Sequence, residues 1–169
     1  MGATAGARLS GATTIIAVDG LPERMEVSRK LGADHCVDFR KVDPVEEIMR
    51  LTDGRGVDVA IEALGTQATF EAALRVLRPG GTLSSLGVYS SDLKIPLGPF
   101  AAGLADTTIV TTLCPGGKER MRRLMAAIAS RRVDLKPLVT HRFKLDEIEA
   151  AYDLFGHQRD GVLKVAIIP

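Results

Sequence analysis

The chain has 169 residues, of which 46% are hydrophobic and 25% are charged, and its formal net charge at pH 7 is +1. This composition is typical of a globular protein with a buried core, and the small charge gives no electrostatic basis for binding nucleic acid or a membrane surface. The apolar stretches are far shorter than a bilayer span, and no signal peptide is visible. We therefore expect a cytoplasmic protein.

The first 56 residues alternate between helix-like and strand-like segments. The β-branched run at residues 13–18 predicts a strand that leads into Asp19, and Pro22 suits the first turn of the helix that follows. The predicted elements of this part are, in chain order, the end of a helix over residues 3–9, a strand over 13–18, a helix over 23–31, a strand over 35–39, a helix over 44–51 and a turn over 53–56.

Residues 57–88 organise the chain. An apolar run predicts a buried strand over 57–65, apolar residues at helical spacing predict a helix that Arg78, Pro79 and Gly80 end, and residues 82–87 are again strand-like. Strand, helix and strand within about 30 residues form a βαβ unit, whose strands should be parallel. Ligands of such sheets bind at the carboxyl ends of the strands, here residues 63–65 and 86–88.

The remaining residues continue this alternation with weaker signals. The predicted elements are a short strand over 93–97, a helical turn over 100–104, a strand over 107–113, a helix over 118–130, an extended segment over 138–143, a helix from an Asp146 cap to Phe155 and a closing strand over 162–168. Strands that alternate with helices predict an α/β fold with a Rossmann-like, doubly wound parallel sheet, as a single domain over residues 1–169.

Asp19 is the first candidate for ligand binding. An acid at the end of such a strand commonly accepts hydrogen bonds from the ribose hydroxyls of an adenosine, and it repels a 2′-phosphate, which favours NAD over NADP. The alternative is that Asp19 caps the helix that starts near Pro22. Arg24 either reaches the same ribose or is a solvated helix charge, and Lys164 either contacts a phosphate or faces outward from its strand.

Other expected features are missing or ambiguous. A GxGxxG loop normally lies about 20 residues before such an acid, which here falls before Met1, so we expect the first central strand and its glycine loop to be lacking. The histidines have no partners at metal-ligand spacing, so we expect neither metal ligands nor catalytic residues in this chain. Cys114 is best explained as a packed thiol, and Glu62 is either buried and paired or faces the site.

Seven blocks of sequence then identify a family. They are IIAVD, KLGADHCVDF, GRGVDVAIEALG, LRPGGTLSSLGV, LCPGGKERM, LVTHRFKLDEIEAAYDLF and VLKVAII. In their order and over essentially its whole length, the chain resembles the zinc-type medium-chain alcohol dehydrogenases, and LCPGG and LVTHRF make it most similar to bacterial secondary-alcohol dehydrogenases. The resemblance implies the C-terminal cofactor-binding domain of an oxidoreductase that transfers a hydride between a secondary alcohol or ketone and nicotinamide.

The resemblance also implies a role for each matching residue. The implied dinucleotide-binding residues are Asp19 and Arg24 at the adenosine ribose, Ala63, Leu64 and Gly65 at the adenosine side of the cofactor cleft, Leu86, Gly87 and Val88 at the nicotinamide side, Leu113 and Cys114 at the carboxamide, and Lys164 at the pyrophosphate. Some secondary-alcohol members have a Gly-Ser-Arg type turn in place of Asp19 and use NADP, so NAD is the expected cofactor here.

The family's catalytic domain has no counterpart in this sequence. That domain carries the ligands of the zinc that polarises the alcohol oxygen, so the chain alone is expected to be inactive. In the family the strand at 107–113 lies near a subunit contact, which implies a homo-oligomer. Two alternatives stay open, a non-catalytic oligomerisation or interaction module derived from this domain and a fragment of an adenosylmethionine-dependent methyltransferase.

Overall fold

The computed structural model describes residues 1–96, 98, 105–112 and 116–169. Its helices there are α1 (Gly2–Leu9), α2 (Pro22–Lys30), α3 (Pro44–Leu51), α4 (Gln67–Arg75), α5 (Lys118–Ala129) and α6 (Ile148–Gly156). Its strands there are β1 (Ile16–Asp19), β2 (His35–Asp38), β3 (Val57–Glu62), β4 (Leu77–Ser85), β5 (Thr108–Thr111), β6 (Val139–Lys144) and β7 (Lys164–Ile168). Short 3₁₀ helices at Lys136–Leu138 and Leu145–Glu147 flank β6.

The described strands form three sheets. β1 pairs with β2, β4 lies between β3 and β5, and β6 pairs with β7. β4 is parallel to both of its neighbours, with Glu62 opposite Ser85, and β6 is parallel to β7. The predicted βαβ unit and the α/β class with parallel sheets are confirmed. β1 and β3 belong to different sheets, and no strand within the described ranges pairs with both.

The chain divides into two compact units, Met1–Cys36 with Arg122–Pro169, and Val37–Met121. In the first unit α2 begins at Pro22, which lacks only an N–H that the first turn would leave unpaired. Gly32, with φ of +107°, follows the end of α2. The buried cluster of this unit consists of Ala5, Val27, Leu31 and Leu163.

The second unit is built around β4. Leu83 in this strand has no exposed surface, and Phe70 and Leu74 on α4 are each 3% exposed, because α4 lies against β3 and β4. The Thr66 hydroxyl accepts a hydrogen bond from the backbone N–H of Thr69, at 3.2 Å, and so caps the first turn of α4. The Thr66 cap therefore fixes where α4 begins.

The predicted end of this helix is wrong. α4 ends at Arg75, before the Arg-Pro-Gly-Gly segment that was expected to stop it. The cause is tertiary, because the Val57 N–H donates to the Val76 carbonyl at 2.8 Å and draws the chain into the sheet. Val57 is opposite Leu77 and Val59 is opposite Thr82, so residues 78–81 bulge out of the ladder.

Three smaller expectations also differ from the structure. Residues 93–96 form no strand, and the rest of that segment, with the expected helical turn over 100–104, lies outside the described residues. Asp146 caps no helix, since it lies within a 3₁₀ turn in which the Glu147 carboxylate accepts the Lys144 N–H at 2.9 Å. Among the described helices, none has the length and hydrophobicity needed to cross a membrane.

Candidate cofactor-binding site

A buried carboxylate lies at the carboxyl end of β3. Glu62 is the last residue of this strand and is only 3% exposed. Its Oε1 accepts hydrogen bonds from the backbone N–H groups of Leu64 and Gly65 and from the Thr69 hydroxyl, each at 2.8 Å. The turn that follows β3 and the first turn of α4 are therefore bound to one oxygen atom.

The other oxygen of Glu62 binds a residue that follows β4. Oε2 accepts a hydrogen bond from the Tyr89 hydroxyl at 2.6 Å, and that hydroxyl also lies 2.8 Å from the Ser85 hydroxyl. The Tyr89 ring packs edge to face against Phe70, with ring centroids 6.0 Å apart. Of the two interpretations from the sequence, the structure supports a Glu62 that is buried and paired.

The hydrogen bonds decide the charge of this carboxylate. Burial, the largest single effect, raises the pKa of Glu62, but the bonds from Tyr89, Gly65, Leu64 and Thr69 together hold it below its usual value. Burial and the neighbouring Glu62 carboxylate raise the pKa of Tyr89. The pair is therefore a carboxylate anion and a neutral phenol at neutral pH, which is a charge-assisted hydrogen bond.

Two glycines allow the turns after β3 and β4 to touch. Gly65 has φ of +93°, and a Cβ placed on it would lie 2.3 Å from the Val88 carbonyl oxygen. A Cβ on Gly87 would lie 2.3 Å from Glu62 Oε2 and 2.4 Å from the Gly65 nitrogen. Each glycine is required by the backbone or carboxylate opposite it, so the two turns form one continuous surface.

This surface contains the residues predicted at the strand ends. Ala63 is exposed, and the exposed fractions of the larger side chains are 68% for Leu64, 43% for Leu86 and 77% for Val88. The structure therefore brings the two predicted strand ends together, and their exposed side chains form a continuous apolar surface over the two turns. Leu113 and Cys114 lie outside the described residues.

The other predicted contacts belong to the first unit. Asp19 ends β1, and its Oδ1 accepts the N–H groups of Gly20 at 2.8 Å and Leu21 at 3.0 Å, which holds the turn before α2. Oδ2 has no hydrogen-bond partner among the described residues. The capping interpretation of Asp19 is wrong, because the N-cap of α2 is Leu21 and no side chain caps this helix. The ribose contact of Asp19 stays a prediction.

Arg24 lies in the first turn of α2. Burial lowers the pKa of the Met1 α-amino group, while the charge of Asp19 raises that pKa and the charge of Arg24 lowers it. Both side chains therefore interact electrostatically with the same amino group. The Arg24 Nε is buried and has no hydrogen-bond partner in the described part of the chain. Lys164 is exposed at the start of β7, which is compatible with both interpretations of this residue.

Sequence reasoning missed the residues that complete the Glu62 network. Tyr89, Ser85 and Thr69 carry no motif, and the only signals were an acid at the end of an apolar strand and a tyrosine shortly after a strand-end glycine. Within the residues the structure describes, no group of three or more histidines, cysteines and acids could hold a metal ion. These residues therefore do not fit a zinc centre.

Comparison with known proteins decides the family. The sequence model of the zinc-binding dehydrogenases matches residues 1–130, more than three quarters of the chain. The chain belongs to this family. It is 71% identical over 167 residues to an alcohol dehydrogenase of Cupriavidus necator, covering 99% of this chain and 46% of that protein, so the predicted resemblance to the zinc-type alcohol dehydrogenases is confirmed.

More distant relatives agree with this assignment. The chain is 38% identical over 170 residues to an NADP-dependent isopropanol dehydrogenase of Thermoanaerobacter brockii, covering 98% of this chain and 48% of that protein. A solved zinc-dependent alcohol dehydrogenase of Streptococcus pneumonia superimposes with a TM-score of 0.87 at 34% identity, over 98% of this chain and 47% of that one. This chain thus spans about half the length of these relatives and corresponds to their cofactor-binding domain.

Proposed function

We propose that this chain is the NAD-binding part of a zinc-type alcohol dehydrogenase, in which the whole enzyme transfers a hydride between a secondary alcohol or ketone and nicotinamide. The observation that carries the proposal is the contact of Gly65 with the turn after β4. A Cβ at Gly65 would collide with the Val88 carbonyl, so the turns at the carboxyl ends of two parallel strands lie in direct contact, at the edge where ligands of such sheets bind. The exposed Leu64 and Val88 side chains offer a flat ring an apolar surface.

We propose that Asp19 and Arg24, in the first unit, bind the adenosine ribose. Asp19 Oδ2 and Arg24 Nε both lack hydrogen-bond partners among the described residues, and a buried N–H without a partner is unfavourable. The hydroxyls of an unmodified ribose donate hydrogen bonds to a carboxylate, whereas a 2′-phosphate is repelled by it. These two side chains therefore favour NAD over NADP.

The remaining contacts follow the family resemblance. Leu86 and Gly87 border the nicotinamide side, Leu113 and Cys114 hold its carboxamide, and Lys164 binds the pyrophosphate. When bound, the dinucleotide supplies the hydride acceptor, and the residues of this chain bind and orient it. We propose that the chain alone does not oxidise alcohols, because its described residues offer no set of zinc ligands.

Titration of the purified chain with NADH, NADPH and adenosylmethionine tests the proposal. We expect NADH to bind more tightly than NADPH, and Asp19→Asn to raise the Kd for NADH about fivefold, as expected when a charged acceptor becomes a neutral one. The asparagine still has a carbonyl oxygen for the turn before α2. Asp160→Asn is the matched control, since Asp160 is exposed and lies beside His141.

Three results would contradict the proposal or part of it. Absence of NADH binding would refute dinucleotide binding, and tighter binding of adenosylmethionine would favour the methyltransferase alternative. Robust formation of NADH from NAD and an alcohol by the purified chain would refute the proposed inactivity.

A second candidate function is an interaction module that pairs with another copy of the chain. β3 lies at the edge of its sheet in the described structure, and Val59 and Ile61 on it are 54% and 39% exposed. An open, apolar edge strand favours pairing with another strand. Light scattering over a range of concentrations should then detect association that Val59→Lys weakens, with Val42→Lys as the exposed control. A concentration-independent monomer would exclude this function.

A further inference from the structure

The Leu86 N–H donates to the Glu62 carbonyl at 2.7 Å, and beyond Leu86 the segment that follows β4 is fastened to its neighbours by two side chains. The first is Tyr89, which donates to Glu62 Oε2 and packs against Phe70. The second is Gln67 at the start of α4, which makes two amide hydrogen bonds with the backbone of Lys94, one to the carbonyl at 2.8 Å and one from the N–H at 2.9 Å. Residues 86–94 are thus held against β3 and α4 from both ends.

Glu62 joins the two turns of the proposed site directly. Oε1 holds the N–H groups of Leu64 and Gly65, and Oε2 holds the Tyr89 hydroxyl. One buried carboxylate therefore links the turn after β3 to the segment after β4, in addition to the backbone bond from Leu86 to the Glu62 carbonyl. A neutral apolar residue could fill the same space in the core. A buried anion is stable only with a full set of hydrogen-bond donors, such as the set that surrounds Glu62.

We propose that the Glu62–Tyr89 hydrogen bond is a positioning device for the dinucleotide, which holds residues 63–65 against residues 86–88 before the cofactor arrives. This inference rests on the proposed NAD-binding function. A surface ordered in advance binds more tightly, because less ordering remains to be done on binding. Glu62 and Tyr89 act through the backbone and exposed side chains of the two turns, so both are positioning residues.

Tyr89→Phe separates this role from simple packing. The variant keeps the ring beside Phe70 and removes only the hydroxyl that binds Glu62. We expect the Kd for NADH to rise about tenfold, the change produced when the competent arrangement falls to roughly one tenth of the population. The Kd for AMP should change less than about twofold, since residues 63–65 on the adenosine side stay bound to Glu62 Oε1 and the variant alters only the segment on the nicotinamide side. Tyr152→Phe is the matched control, because Tyr152 is 73% exposed.

Glu62→Gln provides a second and independent variant. Its carbonyl oxygen retains the three bonds made at Oε1, while its amide group can only donate to the Tyr89 hydroxyl, so the charge-assisted bond is lost and at most a neutral bond of reversed direction replaces it. We expect a loss of NADH affinity similar to that of Tyr89→Phe, and the double variant should lose little more than either single variant, because both remove the same interaction. Circular dichroism and thermal unfolding identify any variant that fails to fold.

The outcomes distinguish this inference from the proposed function. If the unmodified chain does not bind NADH, both are wrong. If it binds NADH but Tyr89→Phe binds equally well, only the positioning role is wrong. Equal losses of NADH and AMP affinity in Tyr89→Phe would also overturn it, since a general loosening of the fold weakens both ligands alike.

Discussion

Replacing Gly65 with alanine tests how the proposed site is built. Gly65 combines a φ of +93° with close contacts to backbone, since an added Cβ would lie 2.3 Å from the carbonyl oxygen and 2.8 Å from the carbonyl carbon of Val88. Two other glycines separate these effects. Gly54 has φ of +76° with open space around it, and Gly87 is crowded without a positive φ. The chain thus contains a control for the backbone angle and another for the contact.

The expected magnitudes follow from these differences. A non-glycine residue at positive φ costs about 1–2 kcal/mol, which is the expected loss for Gly54→Ala. Crowding in a packed region costs about 1–3 kcal/mol, and Gly65→Ala should suffer both effects, about 2–5 kcal/mol in total. This is a large part of the roughly 5–15 kcal/mol that stabilises a domain.

Urea unfolding of Gly65→Ala, Gly54→Ala and Gly87→Ala, followed by circular dichroism, measures the loss in the free energy of unfolding for each variant. Because Val88 must move away from an alanine at position 65, we also expect Gly65→Ala to bind NADH more weakly than Gly54→Ala does. A Gly65→Ala variant no less stable than Gly54→Ala would refute the argument, since the backbone contact would then be of no consequence.

Two further predictions concern side chains of the second unit. The folded-state pKa of Glu62 is depressed, so its contribution to stability is present above the unfolded carboxyl pKa of about 4.3 and is lost as the pH falls through the folded value. The urea midpoint of the unmodified chain should therefore fall more steeply below about pH 4.3 than the midpoint of Glu62→Gln. Parallel curves for the two proteins would contradict this prediction. Asp43 accepts the N–H groups of Val45 at 2.8 Å and Glu46 at 3.0 Å at the start of α3, so Asp43→Ala should reduce the free energy of unfolding by about 1 kcal/mol; a loss within the error of urea unfolding would count against the cap.

The elements that the sequence predicted well are those whose ends are marked locally. Pro22 and Pro44 begin α2 and α3 at the predicted positions, because proline at a first turn sacrifices no helical hydrogen bond. The end of α4 was misplaced because nothing near Arg75 marks it. The bond from Val57 to the Val76 carbonyl decides that end, and it depends on a strand 19 positions away in the sequence.

The candidate site divides in the same way. The strand ends around Gly65 and Gly87 follow from the βαβ pattern, and the candidate role of Asp19 follows from its place after a β-branched strand. The roles of Leu113 and Cys114 follow only from the family resemblance. The Glu62–Tyr89 pair was not predictable, since its members are 27 residues apart. Their meeting requires the register that sets Glu62 opposite Ser85, and a sequence pattern specifies the existence of strands better than their register.

The Glu62 network finally links the stability of the second unit to its proposed affinity for the cofactor. Removing the carboxylate leaves the N–H groups of Leu64 and Gly65 without their acceptor, so Glu62→Ala should reduce both stability and NADH affinity. Removing the Tyr89 hydroxyl leaves those two bonds intact and releases only the turn after β4. If the carboxylate served folding alone, the two variants would lower affinity only in proportion to stability. A positioning role requires that Tyr89→Phe lose more affinity than its loss of stability explains.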